Sequence, residues 1–384
     1  MAAKPNLDVL HIASFTGNIG DNANHLGSRS EFAKNLPFDL TFTEMEMREF
    51  FWGQRQWDDN LIETINSYDL CIFGGGNYFE LWVEHSRTGC SIDLPPEMLE
   101  NITTPLLFYG LGVDAGQGVP DICRERFTKF LSYLLDSPRC CVTVRNDGAR
   151  SNLEAYFTSL PLERIIDVPD GGFFFQTEIA NHVELQQNAK NIVVNLAGDM
   201  LEQRYPGGGS LLPVEFSEEF AQFIERMLVE DPTARIIFVP HIFRDLDSIH
   251  QVLDRMTDPS RRQRVVVAPY MTGEAACHKL FGLYAGADLV LAMRFHASVV
   301  AMALGTPVIG LHCYPQIQLL YRSLGLEEYL VSVQKPSFSS KLLDTINIRL
   351  TESINNNVSS SMKRVADSIR EGHAAISAWL KECT

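Results

Sequence analysis

Short apolar, β-branched runs alternate with longer amphipathic stretches from one end of the chain to the other. Their nearly continuous apolar character is typical of parallel strands buried on both faces. Between them, segments such as 219–230 have the amphipathic spacing of helices. The pattern predicts strands at 7–14, 40–47, 70–76, 106–113, 140–146, 164–170, 191–198, 235–241, 264–270, 288–293 and 306–312. Strand–helix alternation of this kind predicts doubly wound α/β sheets with right-handed crossovers.

At 384 residues the chain is too long for one ordinary core, so we expect two α/β domains. A polar stretch at 176–190 separates two series of strands and predicts that the boundary between the two domains lies there. We expect an N-terminal domain over 1–180, a C-terminal domain over 185–335 and a helical segment over 336–384. That segment either packs across both domains or is an ordinary covering helix. Two such domains would face a cleft at the carboxyl ends of their strands, where sheets of this kind bind ligands.

Composition narrows the class of protein. The formal net charge of −16 opposes binding to nucleic acid or to anionic membranes. No apolar run reaches the roughly 18–20 residues of a membrane span, and the N-terminus lacks the pattern of a secretory signal, so we expect a cytoplasmic protein. The eight cysteines have no C-x-x-C spacing, which predicts reduced thiols without a zinc site. We expect neither a metal nor a cofactor.

Three glycine-rich loops follow predicted strands, at 14–27, 73–82 and 109–118. Glycine lets the backbone approach a ligand closely, and a helix that starts after such a loop presents free N–H groups to an anion. The structural alternative for the first loop is a tight turn with Asp21 or Asn22 as helix N-cap. Three loops at one sheet edge predict a bed for an extended polar ligand, with Gly17, Asn18, Gly20, Asp21, Asn22, Gly75, Gly76, Asn77 and Asp114 as candidates.

Further polar residues stand where other predicted strands end. Arg145 follows the strand at 140–146 and either binds an anion or pairs with a nearby carboxylate, while Asp170 is expected to cap a turn. His241 ends the strand at 235–241, either as a functional group or as an ordinary satisfied polar residue. Arg244 lies just beyond it, and Asp245 is expected to be the N-cap of the following helix.

The stretch "MRFHAS" at 293–298 is the most informative. Residues two apart in an extended chain point the same way, so Arg294 and His296 are expected to converge while Phe295 faces inward. An apolar helix that begins near Ala297 adds a positive dipole end. Buried cations need a compensating anion, and no acidic residue follows before Glu327. The partner must come from elsewhere in the fold or from a ligand, and we favour a ligand that carries phosphate or carboxylate.

These motifs, taken in order, resemble the polysaccharide pyruvyl transferase family. The resemblance is carried by "GNIGDNA", "FGGG", "GLGV", "TVRND" and "RFHASVVAMALGTPVIGL", which span residues 17–311. It implies a fold of two Rossmann-like domains facing a cleft, like that of the GT-B glycosyltransferases. It also implies transfer of a pyruvyl group from phosphoenolpyruvate to a pair of sugar hydroxyls, with formation of a cyclic ketal and release of phosphate.

Under this resemblance the C-terminal domain binds the donor and the N-terminal domain the acceptor. Arg294 would clamp phosphate or carboxylate, and His296 would be the general acid or would steady the leaving phosphate. Asp21, His241 and Asp114 are open alternatives for the base that activates the acceptor. The other residues expected to bind the donor are Arg204, Arg244, Ala297 and Ser298, and Arg145 joins the loop residues on the acceptor side.

The chain departs from the family pattern at several positions. Arg145 is followed by Asn146 before an acid, and Gln316 stands where the family often has lysine. The strand at 191–198 lacks a terminal arginine, which Arg204 would replace. Two alternatives remain open: a nucleotide-sugar glycosyltransferase of the same architecture, and a non-catalytic glycan-binding homologue.

Overall fold

The chain divides into two compact units, each described here by itself. The computed structural model describes residues 4–177, 182–351 and 356–383. Unit 1 comprises Met1–Phe15, Asn24–Phe174 and Lys363–Thr384, and unit 2 comprises Thr16–Ala23 and Phe175–Met362. Unit 2 therefore includes a short segment from near the N-terminus. Residues 178–181, on which the expected domain boundary partly falls, lie outside the described residues.

Unit 1 is built on a parallel sheet. Its strands are β1 (Asn6–Ala13), β2 (Asp39–Glu46), β3 (Leu70–Gly74), β5 (Leu106–Leu111), β7 (Cys140–Val144) and β8 (Ile166–Asp167), and β4 (Phe79–Glu80) and β6 (Val113–Asp114) form a separate pair. The six main strands have the order β2-β1-β3-β5-β7-β8 and all pair in parallel. Both β3 and β5 are buried along their whole length, as uninterrupted apolar sequences predict.

Helices cover the sheet of unit 1. They are α1 (Ile19–Asn35), α2 (Arg48–Phe51), α3 (Asp59–Asn66), α4 (Pro96–Leu99), α5 (Asp121–Asp136) and α6 (Ala149–Tyr156). The structural alternative of an N-cap at Asp21 or Asn22 is wrong, because α1 begins earlier, at Ile19, and the side chain of Asn18 accepts from the Gly20 N–H at 3.0 Å. The turn expected at Asp170 is confirmed, since its carboxylate accepts from the Gly172 N–H at 2.8 Å.

Unit 2 has a second six-stranded parallel sheet. Its strands are β9 (Lys190–Asn195), β10 (Ala234–Phe238), β11 (Val265–Val267), β12 (Leu289–Ala292), β13 (Val308–His312) and β14 (Leu330–Ser332). Their order is β11-β10-β9-β12-β13-β14. If the strands are counted from β9, this is the 3-2-1-4-5-6 order of Rossmann-like sheets.

The helices of unit 2 alternate with these strands. They are α7 (Leu201–Arg204), α8 (Pro213–Glu230), α9 (Asp245–Leu253), α10 (Asp258–Arg264), α11 (Glu274–Ala285), α12 (Phe295–Ala303), α13 (Pro315–Leu324), α14 (Phe338–Thr351) and α15 (Asn356–Cys383). The last helix, α15, belongs to unit 1 from Lys363 onward. Helix α12 is buried from Phe295 to Met302, as its apolar sequence predicts, but it begins at Phe295 and not near Ala297.

The fold class predicted from the sequence is confirmed, because each unit has a parallel sheet whose strands match most of the predicted runs. Strand order also fixes where polar groups can meet. In each sheet the order reverses at one point, between β1 and β3 in unit 1 and between β9 and β12 in unit 2. A ligand crevice forms outside the carboxyl ends of the strands at such a point.

Candidate functional site

Arg294 lies at the carboxyl end of β12, at the reversal point of the sheet in unit 2. It is the N-cap residue of α12, with extended backbone dihedral angles. Its N–H donates to the side chain of Asn195, at the end of the neighbouring strand β9, over 3.0 Å. The adjoining strands thus fix the backbone from which the guanidinium extends.

One edge of the Arg294 guanidinium binds Asp245. The Nε atom donates to the Asp245 carboxylate at 2.9 Å, and Nη2 also donates to it. Asp245 is fully buried and accepts from the N–H groups of His241 at 2.9 Å and Gly198 at 3.1 Å. The expectation that Asp245 caps its own helix is wrong, since α9 already begins at Asp245 and Arg244 is its N-cap residue. Its carboxylate is instead a fixed, fully desolvated partner of Arg294.

The other edge of Arg294 binds Asp199, which follows β9. Nη2 of Arg294 donates to Asp199 Oδ1 at 2.9 Å, and Nη2 of Arg204 donates to the same oxygen at 3.3 Å. Arg204 also binds the Asp199 carbonyl at 2.9 Å and the Cys313 sulfur at 3.6 Å. Asp199 therefore lies between the two arginines.

The charges in this chain of ion pairs stabilise one another. Burial opposes the charged form of Arg294, but Asp245 and Asp199 overcome this and raise the pKa of the guanidinium. Burial by itself would raise the pKa of Asp199, but Arg294 and Arg204 lower it to about 2. The buried cation at Arg294 therefore has protein carboxylates as counter-ions, where the sequence had favoured a ligand.

His296 faces the segment from near the N-terminus that belongs to unit 2. Its Nδ1 atom lies 3.7 Å from Asp21 Oδ1. A Cβ atom built on Gly20 would lie 2.6 Å from the Cβ of His296, so no larger residue fits at position 20 without displacement. The expectation that Arg294 and His296 point the same way rested on an extended chain. That premise is wrong, because His296 lies within the first turn of α12.

His241 is fully buried beside this group. Its Nε2 atom is 2.8 Å from the Tyr284 hydroxyl, and its carbonyl accepts from the Ile19 N–H at 3.4 Å. Within the described part of the chain, Nδ1 has no hydrogen-bond partner. Burial, followed by the charges of Arg294 and His296, lowers the pKa of His241 well below its usual value. The imidazole is thus neutral at neutral pH.

The remaining residues expected to bind the donor occupy different environments. Ala297 and Ser298 are fully buried in α12, and the Ser298 hydroxyl accepts from the Tyr321 hydroxyl at 3.3 Å. Arg244 is exposed. Gly17, Asn18 and Asn22, which were expected to bind the acceptor, lie in the same N-terminal segment of unit 2 as Asp21.

In unit 1, expected acceptor residues gather around Gly112. A Cβ atom at Gly112 would lie within 3.0 Å of Asn77, Arg145 and Asp147. The Asn77 amide donates to Asp114 Oδ2 at 3.1 Å. Arg145 Nε donates to Asp147 at 2.7 Å, and these two side chains are almost completely buried. Arg145 was predicted either to bind an anion or to pair with a nearby carboxylate, and the pairing is observed.

Arg145 has a second carboxylate partner in the same unit. Its Nη1 atom donates to Asp170 Oδ2 at 3.2 Å, and the Asp170 side chain is fully buried. The Arg145 guanidinium is therefore held between Asp147 and the turn that Asp170 caps.

Two glycines expected in the acceptor loop have steric reasons to be glycine. Gly75 has φ of +76°, and a Cβ atom there would lie 2.7 Å from His25 Nδ1. Its carbonyl accepts from the Asn24 amide at 2.8 Å. A Cβ atom at Gly76 would lie 2.3 Å from the ring of Tyr78. In both cases neighbouring side chains of unit 1 approach the backbone closely.

Glu80 was not singled out from the sequence, yet it faces Asp114 across the β4–β6 pair. The Ser91 hydroxyl donates to Glu80 Oε2 at 2.6 Å. Burial, opposed by this hydrogen bond and assisted by the charge of Asp114, raises the pKa of Glu80 to about 7. Glu80 could not be singled out from the sequence, because nothing in the loop at 73–82 indicates that this carboxylate is buried.

Three further sequence predictions concern the thiols, metal binding and membrane spans. All eight cysteines are free thiols. In residues 4–177, 182–351 and 356–383, no group of three or more His, Cys, Asp or Glu side chains is arranged to hold a metal ion. Over the same residues, no helix combines the length and the apolar character of a membrane span.

The architecture is similar to that of a solved glycosyltransferase and of solved UDP-GlcNAc 2-epimerases. A glycosyltransferase from Rickettsia africae aligns with a TM-score of 0.57 and 9% identity, over 98% of each chain. A UDP-GlcNAc 2-epimerase from Methanocaldococcus jannaschii aligns with a TM-score of 0.54 and 11% identity, over 94% of this chain and 98% of that one. A UDP-GlcNAc 2-epimerase from Neisseria meningitidis, bound to UDP-GlcNAc, aligns with a TM-score of 0.51 and 11% identity, over 95% of this chain and 100% of that one. At such low identity these likenesses define the fold alone, which is α/β and GT-B-like.

The family model for polysaccharide pyruvyl transferase matches residues 18–312, which is more than half of the chain. The protein therefore belongs to the polysaccharide pyruvyl transferase family. The matched region contains the N-terminal segment with Gly20 and Asp21 as well as Arg294 and His296. No curated protein matches the chain significantly.

Proposed function

We propose that this protein transfers a pyruvyl group from phosphoenolpyruvate to two hydroxyls of a saccharide, forming a pyruvate ketal and releasing phosphate. The observation that carries the proposal is the placement of Arg294, Arg204 and His296 in unit 2 of a member of this family. Cations and an imidazole at the reversal point of a Rossmann-like sheet suit a small substrate that carries phosphate and carboxylate.

The reaction defines what the site must supply. A proton is added to the methylene carbon of phosphoenolpyruvate, which becomes a methyl group, and positive charge develops at the adjacent carbon. A first sugar hydroxyl adds to that carbon and loses its proton. A second hydroxyl then displaces phosphate, loses its proton and closes the ring. Of the two hydroxyl protons, one balances the new C–H bond and the other leaves with phosphate.

Arg294 and Arg204 would hold the donor. Both guanidinium groups reach the same point, now occupied by the Asp199 carboxylate, so an anion at that point would receive donors from both. Planar guanidinium groups favour bidentate binding of phosphate or carboxylate. The N-terminal end of α12 adds its dipole to this binding. Ala297 and Ser298 would contribute through the backbone of that first helical turn, since their side chains are buried.

His296 is the proposed general acid for the methylene carbon, with Asp21 orienting its ring. His241 is fully buried, so we assign it the role of holding Asp245 and the N-terminal segment through its backbone. Asp21 is then the better candidate in unit 2 for the base that activates an acceptor hydroxyl, because its side chain is 14% exposed.

Unit 1 is the proposed acceptor side, with Asp114 as the second candidate base. Its carboxylate is oriented by the Asn77 amide and by the Gly116 N–H at 2.7 Å. A carboxylate held in this way can accept a hydroxyl proton while neighbouring polar groups orient the sugar. Gly75 and Gly76 would let the sugar approach the backbone of the loop after β3.

A phosphate-release assay tests the proposal directly. Phosphoenolpyruvate is incubated with the protein and a panel of galactosides, glucosides and mannosides, and the ketal product is sought by mass spectrometry. We expect phosphate release that depends on one class of saccharide, with a mass gain that corresponds to a pyruvate ketal.

Thermal-shift titration separates the competing functions. Stabilisation by nucleotide sugars alone, without phosphoenolpyruvate, would indicate a glycosyltransferase. Stabilisation by saccharides without any phosphate release would indicate a glycan-binding homologue. Either outcome would end the pyruvyl transfer proposal.

A further inference from the structure

The two carboxylates that bind Arg294 are held very differently. The Asp245 side chain has no exposed surface and is fixed by backbone N–H groups, including those of His241 and Gly198. The Asp199 side chain is 28% exposed, and its hydrogen bonds come from the guanidinium groups of Arg294 and Arg204. Asp245 is therefore a permanent counter-ion, whereas Asp199 is held mainly by the charges of its two arginines.

Asp199 occupies the outer edge of Arg294. Asp245 takes the Nε–Nη2 edge, which leaves the Nη1–Nη2 edge for another anion. Asp199 binds that edge, with Nη1 to Oδ2 at 3.4 Å and Nη2 to Oδ1 at 2.9 Å. A phosphate or carboxylate group would need the same edge for bidentate binding.

Gly198 explains why Asp199 reaches this position. A Cβ atom on Gly198 would lie 1.8 Å from the carbonyl oxygen of Arg244, so only glycine allows the chain after β9 to approach the start of α9. The close approach brings the Gly198 N–H to Asp245 and the next side chain to Arg294. The placement of Asp199 is thus built into the loop.

We propose that Asp199 is an exchangeable internal counter-ion, which occupies the place of the donor's anionic group between Arg294 and Arg204 and is displaced when the donor binds. This inference rests on the function proposed above for its choice of donor. Before the donor binds, Asp199 and Asp245 together balance the charges of Arg294 and Arg204. When phosphate forms, Asp199 competes with it for the same guanidinium groups and so favours its release.

Removal of the Asp199 charge should have opposite effects on anion binding if Asp199 is a counter-ion and if it only positions the two arginines. An uncharged side chain competes less well for the arginines, and removing a like charge at contact distance from a bound anion strengthens binding by roughly tenfold or more. A residue that merely oriented the guanidinium groups would have the opposite effect, because its loss would weaken anion binding.

The test is the affinity for inorganic phosphate, measured by isothermal titration calorimetry on the full chain. Asp199→Asn is compared with wild type and with Asp247→Asn, which removes the same charge from an exposed position on α9. We expect Asp199→Asn to bind phosphate roughly tenfold more tightly, and Asp247→Asn to bind it like wild type. Equal or weaker binding by a folded Asp199→Asn would overturn the proposal, and Asp199→Ser repeats the measurement if the asparagine variant does not fold.

Turnover distinguishes this inference from the proposed function. With phosphoenolpyruvate and a saccharide that serves as acceptor, Asp199→Asn should lower both the KM for the donor and kcat, because phosphate leaves more slowly. If phosphate binding tightened but no saccharide supported phosphate release in wild type, the proposed function would fail and the counter-ion role would stand. If wild type turned over but Asp199→Asn bound phosphate no more tightly, only the counter-ion role would fail.

Discussion

The imidazole of His296 packs directly against the backbone of Gly20. A Cβ atom at position 20 would lie 2.6 Å from the Cβ of His296 and 2.7 Å from its Nδ1. Nonbonded carbon atoms do not approach so closely, so the absence of a side chain at Gly20 sets the position of the proposed general acid. Asp21, the next residue, carries the carboxylate nearest to that ring nitrogen.

Gly20→Ala should therefore reduce turnover by displacing His296. A misplacement of about 1 Å can cost about a hundredfold in rate, and we expect kcat for phosphate release to fall by roughly 10- to 100-fold. Gly273→Ala is the matched control in the same unit. Gly273 has φ of +85° and open space around it, so alanine there should lower stability by about 1 kcal/mol. Its effect on kcat should be small, and equal losses of kcat in both variants would contradict the role of Gly20.

Arg294→Ala should destabilise the protein as well as weaken donor binding. It leaves Asp245 buried without its cation, and breaking a buried ion pair costs about 3–5 kcal/mol. The free energy of unfolding, measured by urea denaturation, should fall by that amount. Arg244→Ala removes an exposed arginine nearby and should change the free energy of unfolding by less than about 0.5 kcal/mol.

Arg294→Lys separates stability from donor binding. Lysine keeps the positive charge but not the fork that binds two anions at once. We expect this variant to retain more stability than Arg294→Ala and still to bind phosphoenolpyruvate poorly, as measured by calorimetry. Donor affinity equal to that of wild type would contradict the assignment of Arg294.

His296→Asn should remove proton transfer while it leaves the donor clamp in place. Loss of a general acid typically costs about 10²- to 10⁴-fold in rate, and we expect that range for kcat. The Kd for phosphoenolpyruvate should change much less, because Arg294 and Arg204 are retained. Asp21→Asn should lower kcat more moderately if Asp21 only orients the ring. A fall comparable with that of His296→Asn would indicate that Asp21 also activates the acceptor.

The raised pKa of Glu80 predicts that the stability of unit 1 depends on pH. Its pKa in the folded protein, about 7, lies above its ordinary value of 4.5. Both states are protonated below pH 4.5, and between pH 4.5 and about 7 the unfolded chain loses its proton first. The free energy of unfolding therefore falls as pH rises through this window.

Glu80→Gln should remove this fall in the free energy of unfolding, because glutamine does not titrate. Its side-chain oxygen can still accept the hydrogen bond from Ser91. At pH 8 the variant should exceed wild type by about 1–3 kcal/mol in free energy of unfolding, and at pH 4.5 the difference should be small. Glu84→Gln, at an exposed position in the same loop, is the control and should leave the pH profile unchanged. A constant offset at both pH values would refute a raised pKa at Glu80.

The fold could be predicted because its strands are buried on both faces and their apolar runs are nearly uninterrupted. Strands β1, β2 and β3 lie within one or two residues of their predicted bounds. Strand β14 was not predicted, although the equally short strands β8 and β11 lie within predicted runs. The start of α12 was placed too late because the sequence does not reveal that Arg294 itself is the cap.

The candidate site could be predicted only in part. Arg294 and His296 were evident as candidates, because polar residues stood out against an apolar strand and helix. The counter-ions were not evident, since Asp245 and Asp199 lie 49 and 95 positions before Arg294 and meet it only through the strand order. If the pairing of β9 with β12 had been known, Asp199 would have been a candidate partner of Arg294, because it is the first acidic residue after β9.

The grouping of residues 16–23 with unit 2 has a consequence for protein engineering. A chimera that joined the second half of this chain to the first half of a relative would replace Gly20 and Asp21 along with the N-terminal sheet. His296 would then pack against a foreign loop, even though every residue after 175 was native. Exchange of acceptor specificity between relatives should therefore graft the segment from Thr16 to Ala23 together with the half that carries Arg294 and His296.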